Sequence, residues 1–305
     1  MTDAMATEEI ELARIRMGEI VESRLPGNGS FYTAIAGLSL HRLTKPMPPV
    51  SMLFAPSFAF IIRGEKRVVL GEEVYAYDQD HFLLTAVDLP TIAEVIGASP
   101  TAPYASFMFD IDLDAARELI AEVDQHGLQP DDTGTGIAVG PVTPELADAS
   151  LRLMELLDRP QDIPILARSI QREILYRVIT GPVGSRLRQV VELGTQTNRV
   201  SVALRWLRDN FDQPIRIDAL ADMAGMGEST LHHHFRALTA MSPLQYQKHL
   251  RLNEARRLMI AERIDAGSAA LRVGYESATQ FNREYRRLFG IPPKADVRAI
   301  LAPAS

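Results

Sequence analysis

The 305-residue chain contains no cysteine. Disulfides, zinc–thiolate sites and thiol catalysis are therefore excluded. The sequence also lacks any run of about 20 apolar residues, the length that a membrane-spanning helix needs. Its first residues include Glu8, Glu9 and Glu11, whereas a signal peptide begins with a basic region followed by an apolar one. We therefore expect a cytoplasmic protein that makes no contact with a membrane.

Charge is distributed unevenly along the chain. The whole sequence has 32 Lys and Arg against 39 Asp and Glu, a net charge of −7, which by itself disfavours nucleic acid as a partner. The segment from Ser201 to Ser305 nevertheless holds 15 basic and 11 acidic residues, which leaves 17 basic and 28 acidic residues in the remainder. Such asymmetry indicates that the two parts of the chain have different functions.

Short strands are predicted from about Phe31 to Phe109. The segment PSFAFIIRGEKRVVLGEEVYAYDQDHFLLTAVDLP consists of short alternating or fully apolar runs, interrupted by Gly64, Gly71 and Pro90. No helical pattern lies between these runs. The pattern therefore predicts an antiparallel sheet structure of the cupin-like barrel or jelly-roll kind.

The hydrophobic period becomes helical after Ile111. A first helix is predicted to end at Gly127, and three more, each with a proline in its first turn, are predicted at Pro144–Leu157, Pro164–Thr180 and Pro182–Leu193. We expect the last three to form a dimerisation segment. Between them and the first helix, three glycines are spaced as GxGxxxG at Gly134, Gly136 and Gly140. That spacing differs from the phosphate-binding GxGxxG, which favours a flexible or edge-strand connection.

A helix over Thr195–Phe211 leads into the basic region, and we place the domain boundary near Gly194–Val200. The predicted domains are 1–194 and 195–305. The basic domain contains one motif twice, at an offset of 49 or 50 residues, and the corresponding pairs are Ala221 and Ala270, Gly225 and Gly274, Met226 and Tyr275, Leu231 and Phe281, Phe235 and Tyr285. Alanine lets two helices approach closely, and glycine supplies the positive φ that ends the first helix. Each copy therefore predicts a helix-turn-helix, and the whole domain is predicted to be all-α.

A linker helix of roughly 20 residues separates the two copies. Ser242, Pro243 and Gln245 predict its start as N-cap, first helical residue and capping-box partner. Ser277 and Gln280 show the same capping-box pattern in the second copy, whereas Gly227 offers no side chain at that place in the first. A linker of this length is about 30 Å long, close to the ~34 Å between adjacent major-groove faces of B-DNA. One chain could thus place two recognition helices in successive major grooves.

The segments LADMAGMGESTLHHHFRALTAMSPLQYQKHLRLNEARRLM and AALRVGYESATQFNREYRRLFGIPP resemble the DNA-binding domain of AraC/XylS-family transcription regulators, over roughly Ile215–Pro293. GEKRVVLG and DHFLLTAVDLP resemble the sensor domain of an AraC subgroup whose best-known members respond to aldehydes. The resemblance implies an α+β protein with an N-terminal sensor, a DNA partner, a small organic effector and a homodimer. It also implies contact with RNA polymerase if the protein is an activator, no cofactor and no enzymatic activity.

Carried over by position, the resemblance assigns contacts with base edges to six residues, which are Ser229, His232, His233, Thr279, Asn282 and Arg283. It assigns contacts with DNA phosphates to Arg236, Arg286 and Arg287. Arginine is common in the subgroup where this chain has His233. Histidine cannot make the same bidentate contact with guanine, so the base preference at that step is expected to differ.

The effector is expected in the N-terminal barrel, where the candidate residues are His41, Phe58, Phe60, Tyr75 and Tyr77. The alternative is that these aromatic residues only fill the core, because alternation alone does not show which strand face points inward.

A metal site is not expected. Residues 232–234 are three histidines that point about 100° apart on a helix, and His41, His81 and His126 include no HxH pair. Two alternatives to an effector-controlled regulator remain open at this point. One is a metal-dependent cupin enzyme with an accessory DNA-binding domain, and the other is a regulator that binds no effector.

Overall fold

Two antiparallel sheets face each other in the N-terminal half of the protein. The structure is a computed structural model, which describes residues 2–124, 135–192 and 194–301. The six-stranded sheet has the order β1-β2-β9-β4-β7-β10 and the four-stranded sheet the order β3-β8-β5-β6. The strands are β1 (Gly29–Tyr32), β2 (Leu38–Leu43), β3 (Met47–Phe54), β4 (Ser57–Arg63), β5 (Glu65–Leu70), β6 (Glu73–Asp78), β7 (His81–Thr85), β8 (Leu89–Val95), β9 (Tyr104–Asp110) and β10 (Ile137–Pro141). The predicted cupin-like jelly roll is confirmed.

Helix α1 (Thr2–Arg24) precedes the sheets and covers one face of the six-stranded sheet. Its Met17 and Val21 are fully buried, and Arg24 reaches the carbonyl of Leu157 at 2.7 Å. The sequence analysis did not predict this helix. Its apolar residues are sparse among glutamates and arginines, and only the sheet beneath shows which face is buried.

Five helices connect the sheets to the basic domain. They are α2 (Leu113–Asp124), α3 (Pro144–Glu155), α4 (Ile163–Thr180), α5 (Gly184–Val191) and α6 (Gln196–Asp209), with a 3₁₀ turn at Leu156–Asp158. All were predicted to within a few residues, although the predicted ends at Gly127 and Leu193 lie outside the described residues. Thr143 caps α3 just before its first-turn proline. Gly140 lies in the edge strand β10 and Gly136 directly precedes it, in agreement with the predicted edge-strand connection. Gly134 and His126 lie outside the described residues.

The C-terminal part contains six helices after α6 where the chain is described. They are α7 (Ile217–Met223), α8 (Glu228–Thr239), α9 (Pro243–Ala261), α10 (Ala266–Arg272), α11 (Ala278–Phe289) and α12 (Pro293–Leu301). The first pair, α7 and α8, shares one continuous hydrophobic core with the sheets, whereas α10 and α11 pack around a separate cluster that includes Leu252, Val273 and Phe281. No helix in the described ranges is long and apolar enough to cross a membrane.

Candidate nucleic-acid interface and sensor cavity

The two helix-turn-helix units have the same turn. Gly225 has a φ of 63° and Gly274 a φ of 84°. In each turn the next residue donates its backbone N–H to the alanine five positions earlier, Met226 to Ala221 and Tyr275 to Ala270, both at 2.9 Å. The predicted duplication is therefore confirmed at the level of individual hydrogen bonds.

Both recognition helices expose the same pattern of positions. On α8 the exposed side chains are those of Ser229, His232, His233 and Arg236, and on α11 those of Thr279, Asn282, Arg283 and Arg286. The spacing i, i+3, i+4, i+7 places each set on one helix face. Arg287 is exposed as well, beside this face. All nine predicted DNA-contacting residues are thus accessible, and their contacts with DNA remain a prediction.

The opposite faces of these helices are buried. Leu231 and Phe235 anchor α8, and the ring of Phe235 meets the edge of Tyr246 on α9 at a centroid distance of 5.5 Å. Phe281 and Tyr285 anchor α11 in the same manner, with centroids 5.5 Å apart. Because the anchors are fully buried, each exposed face is held in a fixed orientation.

The helix starts differ from one another. At α9, Ser242 and Gln245 form the predicted capping box in full. At α11, Ser277 accepts a hydrogen bond from the N–H of Gln280, but the Gln280 side chain instead donates to Glu284, so the predicted second box forms only by half. Gly227 provides no side-chain cap to α8, as predicted.

A polar network that the sequence analysis missed fixes the second unit. Tyr285 donates to Oδ2 of Asp296 at 2.6 Å, and Arg256 of α9 donates to both oxygens of that carboxylate at 2.7 and 3.0 Å. Burial, and then the hydrogen bond to Asp296, raise the pKa of the Tyr285 hydroxyl. The only sequence signal for this network is Asp296, an acidic residue in the first helical turn after FGIPP.

Arg251 of α9 is the second missed residue. Its guanidinium donates to the backbone carbonyls of Phe211, Asp212, Gln213 and Gly274 at 2.6 to 3.1 Å. Burial lowers the pKa of this side chain. Since its donors are occupied by carbonyls, Arg251 orients the second turn and is not placed to hold a phosphate.

Three contacts join the sensor domain to helices α6, α8 and α9. Tyr246 donates to the carbonyl of Asp88 at 3.0 Å, and the Asp88 carboxylate pairs with Arg208 of α6 at 3.2 Å. The N–H of Gly136 donates to the carbonyl of Leu238 near the end of α8 at 3.1 Å. A change in the sheets can therefore reach a recognition helix through direct contacts.

The two faces of the six-stranded sheet differ in chemistry. Phe58, Phe60 and Phe107 lie on one face, with the rings of Phe60 and Phe107 stacked 5.3 Å apart. Ile62, the next residue of β4 on this face, lies against Gly18 of α1. This aromatic face is therefore packed beneath the helix and does not face the other sheet.

The opposite face, which meets the four-stranded sheet, combines apolar side chains such as Ile61 and Leu83 with polar ones. It carries Ser39, His41, Tyr104 and Ser106, since paired residues of β2 and β9 share a face. The ring of His41 is hydrogen-bonded to the hydroxyls of Ser30 at 2.8 Å and Ser39 at 3.0 Å. The space between the sheets is thus lined partly by hydrogen-bonding groups.

From the four-stranded sheet, Lys66 and its cross-strand partner Tyr77 project into the same space. Burial, and secondly the charge of Lys66, lower the pKa of His41 to about 4. Burial, and secondly the neighbouring Tyr104, raise the pKa of Tyr77. Strand register and alternation thus place the four side chains in one interior between the sheets.

The structure separates the five predicted effector residues. His41 and Tyr77 lie in the polar interior, whereas Phe58 and Phe60 lie in the layer beneath α1. Tyr75 is half-buried and its hydroxyl contacts Glu73 and Thr135, both at 2.6 Å. It lines a cavity of about 720 Å³ whose wall also includes Ala237 of the recognition helix α8.

Among the described residues, no cluster of three His, Asp or Glu side chains is placed to hold a metal ion. His233 and His234 meet edge to face, 5.1 Å apart, and His232 is exposed.

A two-domain chain with an N-terminal jelly roll and a duplicated helix-turn-helix defines a class of DNA-binding transcription regulators. Two family models match this chain, an AraC-type transcriptional regulator N-terminus over residues 34–186 and a helix-turn-helix domain over residues 220–299. The first match alone covers half of the sequence. The chain therefore belongs to the AraC-type transcriptional regulators.

Curated relatives include the HTH-type transcriptional activator RhaS of Escherichia coli. The protein of strain O1:K1 is 30% identical over 146 residues, which are 48% of this chain and 50% of RhaS. The O6:H1 protein is 26% identical over 240 residues, 78% of this chain and 80% of RhaS. The chain thus spans about half the length of the first of these relatives.

Solved structures of ToxT from Vibrio cholerae share the fold. ToxT with an unsaturated fatty acid bound has a TM-score of 0.57 at 12% identity, covering 89% of this chain and 96% of ToxT. ToxT bound to a naphthalenyl butenoic acid has a TM-score of 0.59 at 10% identity, covering 85% and 97%. At such low identity the likeness concerns the fold.

Proposed function

We propose that this protein is a sequence-specific DNA-binding transcription regulator that places α8 and α11 in two successive major grooves. The observation that carries the proposal is the repeated exposed face, with identical spacing, at the two ends of one linker helix. Helix α9 has 19 residues and is therefore about 29 Å long. That length is close to the ~34 Å that separates major grooves on one side of B-DNA.

In this proposal, sequence is recognised by Ser229, His232 and His233 in one groove and by Thr279, Asn282 and Arg283 in the next. Arg236, Arg286 and Arg287 neutralise phosphates and make the affinity dependent on salt. The protein acts by binding and needs neither a cofactor nor a catalytic reaction.

Selection of duplexes from a random pool by the full-length protein tests the proposal. We expect a consensus with two informative blocks, about one helical turn apart centre to centre. Hydroxyl-radical footprinting should then show protection in both grooves. A consensus with a single block, or no duplex binding at low salt, would falsify the two-groove arrangement.

We further propose that a small organic molecule, with aldehydes as the candidate class, binds in the sensor domain next to His41, Tyr75 and Tyr77. The polar interior and the cavity at Tyr75 support this placement. The acids bound in the ToxT structures are ligands of ToxT and do not identify the effector of this chain. Phe58 and Phe60 would support the site from behind the sheet. Calorimetry with an aldehyde panel tests it, and unchanged DNA affinity across the panel would count against it.

A homodimer through helices α3 to α5 is also proposed, with contact to RNA polymerase if the protein activates transcription. Helix α4 exposes Ile165 at 74%, Leu166 at 43% and Tyr176 at 41%, and exposed apolar side chains favour an interface. Effector binding would then alter how the protomers pack, provided that it favours one arrangement. Ile165→Glu should shift sedimentation towards a monomer, whereas the control Val74→Glu should not.

A further inference from the structure

Lys66 occupies an unusual place for a cation. On β5 it shares a face with Val68 and Leu70, both fully buried, and it is paired with Tyr77 and Val95, each 2% exposed. Successive side chains of a strand alternate between faces, so Lys66 points into the space between the sheets. It is half-buried there, with part of its surface still accessible.

The ammonium group of Lys66 has no hydrogen bond or ion pair with any residue that the structure describes. Its nearest aromatic contact is the ring of Phe54, 5.0 Å from Nζ. Two other enclosed cations do have counter-ions, because the buried Arg188 pairs with Asp124 and the partly buried Arg256 pairs with Asp296. Even partial burial of a charge without a counter-ion destabilises a fold, which indicates that Lys66 has a role other than packing.

The choice of lysine is itself informative. Of the 32 basic residues only four are lysines, at positions 45, 66, 248 and 294. Arginine stays charged and would be the better partner for a carboxylate, whereas lysine can lose its proton when buried and act as a nucleophile. Lys45 and Lys294 are exposed, and Lys248 is ion-paired with Glu284 at 3.1 Å.

We propose that Lys66 captures an aldehyde effector as a reversible imine in the interior of the sensor domain. This inference rests on the proposed effector-controlled function and adds the residue and the chemistry. Nζ, in its neutral form, attacks the carbonyl carbon, and the carbonyl oxygen takes up the proton that the nitrogen loses. The resulting carbinolamine expels water and leaves a C=N bond. Hydrolysis reverses the sequence, and no oxidant or reductant is consumed.

The surroundings of Lys66 favour this reaction. Burial lowers the pKa of its ammonium from 10.5 to about 8, so a much larger share of the amine is neutral near pH 7 than for an exposed lysine. His41 is uncharged in that range, because its own pKa is about 4. The interior therefore holds a neutral hydrogen-bonding ring near the reacting amine, and the imidazole does not compete with the amine as a second cation.

Contacts exist through which the imine could alter DNA binding. Strand β5 pairs with β8, and β8 lies against α9 of the DNA-binding domain. Asp88, whose carbonyl accepts the hydrogen bond from Tyr246, directly precedes β8, at the end of the strand opposite to Val95, the partner of Lys66. Filling the interior beside Lys66 would therefore act on a strand that contacts the linker helix α9.

Reductive trapping tests the chemistry on the full-length protein. Benzaldehyde or butanal is added with sodium cyanoborohydride at pH 7, and peptide mass spectrometry follows the four lysines over time. We expect Lys66 to be alkylated at least about 10-fold faster than Lys45, because far more of its amine is neutral. Equal rates at the two lysines would overturn the proposal. In urea-unfolded protein the preference should disappear.

Variants connect the trapping to regulation. DNA affinity is measured with a duplex obtained in the random-pool selection. Benzaldehyde or butanal should change this affinity about 5-fold or more in the wild-type protein and in the control variant Lys45→Arg. It should have no effect in Lys66→Arg, which keeps the charge but forms no imine. An equal shift with benzyl alcohol or benzoate, or an unchanged affinity while Lys66 is alkylated, would overturn Lys66 as the effector site.

The two proposals fail in distinguishable ways. If no variant binds DNA, the proposed regulator function fails, while the trapping rates still decide the chemistry of Lys66. If DNA is bound and Lys66 is not selectively alkylated, the regulator function stands and the imine does not.

Discussion

The hydroxyl of Tyr285 donates a 2.6 Å hydrogen bond to Oδ2 of Asp296, and through that carboxylate the recognition helix α11 is joined to Arg256 of the linker helix. The Asp296 side chain is 6% exposed and that of Arg256 19%. The orientation of the second recognition helix therefore depends on a polar network in addition to its apolar anchors.

Removing the carboxylate should be more costly than removing the hydroxyl. Tyr285→Phe leaves Asp296 paired with Arg256 and should lower the free energy of unfolding by about 1–2 kcal/mol. Asp296→Ala leaves the partly buried guanidinium of Arg256 and the hydroxyl of Tyr285 without their partner and should cost about 3–5 kcal/mol. Urea unfolding of the full-length variants measures both. The control Asp218→Ala, which breaks an exposed pair with Arg216, should change little, and equal losses for the two network variants would contradict the account.

The two turn glycines should differ in their tolerance of alanine. Both have positive φ, but a Cβ on Gly274 would lie 2.0 Å from the carbonyl oxygen of Asp212, whereas a Cβ on Gly225 would meet no atom within 4 Å. Gly225→Ala should cost about 1–2 kcal/mol from backbone conformation alone. Gly274→Ala adds a steric clash and should cost about 3 kcal/mol or more. Thermal unfolding decides the order, and a larger loss at Gly225 would refute it.

Base and phosphate contacts should respond differently to substitution. Arg283→Ala should weaken binding to the selected duplex by about 1–3 kcal/mol and relax preference at one base step. Arg286→Ala should weaken cognate and random duplexes alike and lower the salt slope by about one. Fluorescence anisotropy across a salt series measures both, with Arg16→Ala at an exposed position of α1 as the control. Equal losses on cognate and random duplexes for Arg283→Ala would remove its assigned role.

Lys66 should make the fold more stable at alkaline pH. Its pKa is about 8 in the folded chain, against the ordinary lysine value of 10.5 that applies once the chain unfolds. The folded state therefore releases the proton first, and stability rises between these two values. The stability gained when Lys66 loses its proton is complete above pH 10.5 and is lost as the pH falls through 8. Lys66→Met should therefore add on the order of 2 kcal/mol at pH 7, and less at pH 9.5. Lys45→Met should show no such difference.

His41 should contribute to acid unfolding. Burial, and secondly Lys66, lower its pKa from 6.5 to about 4, so the unfolded chain takes up a proton that the folded chain does not. Its contribution is present above pH 6.5 and lost as the pH falls towards 4. Urea titrations at pH 7 and 4.5 should show a smaller loss for His41→Gln than for the wild type. His81→Gln, at an exposed histidine, serves as control, and an unchanged pH dependence in His41→Gln would contradict the assignment.

Local sequence signals were strongest where backbone chemistry depends on one residue type. Gly225 and Gly274 are needed for positive φ, and Ser242 with Gln245 forms a cap between neighbours in the chain, so both turns and the start of α9 could be predicted. Ser277 and Gln280 have the same spacing, yet the side chain of Gln280 donates its hydrogen bond to Glu284, one turn further along the same helix. A cap predicted from spacing alone is therefore decided by which competing partner lies closer.

The sequence by itself determined the duplicated helix-turn-helix, its exposed faces and the strand-rich sensor, because periodicity and turn chemistry are encoded within a few consecutive residues. Only the tertiary structure decided that Phe58 and Phe60 pack beneath α1 while His41, Lys66 and Tyr77 share the interior. Alternation places residues on two faces of a strand, but which face is enclosed depends on elements distant in the chain. Asp88 with Tyr246, and Arg256 with Asp296, meet for the same reason, since pairs separated by 40 or more positions leave no local pattern.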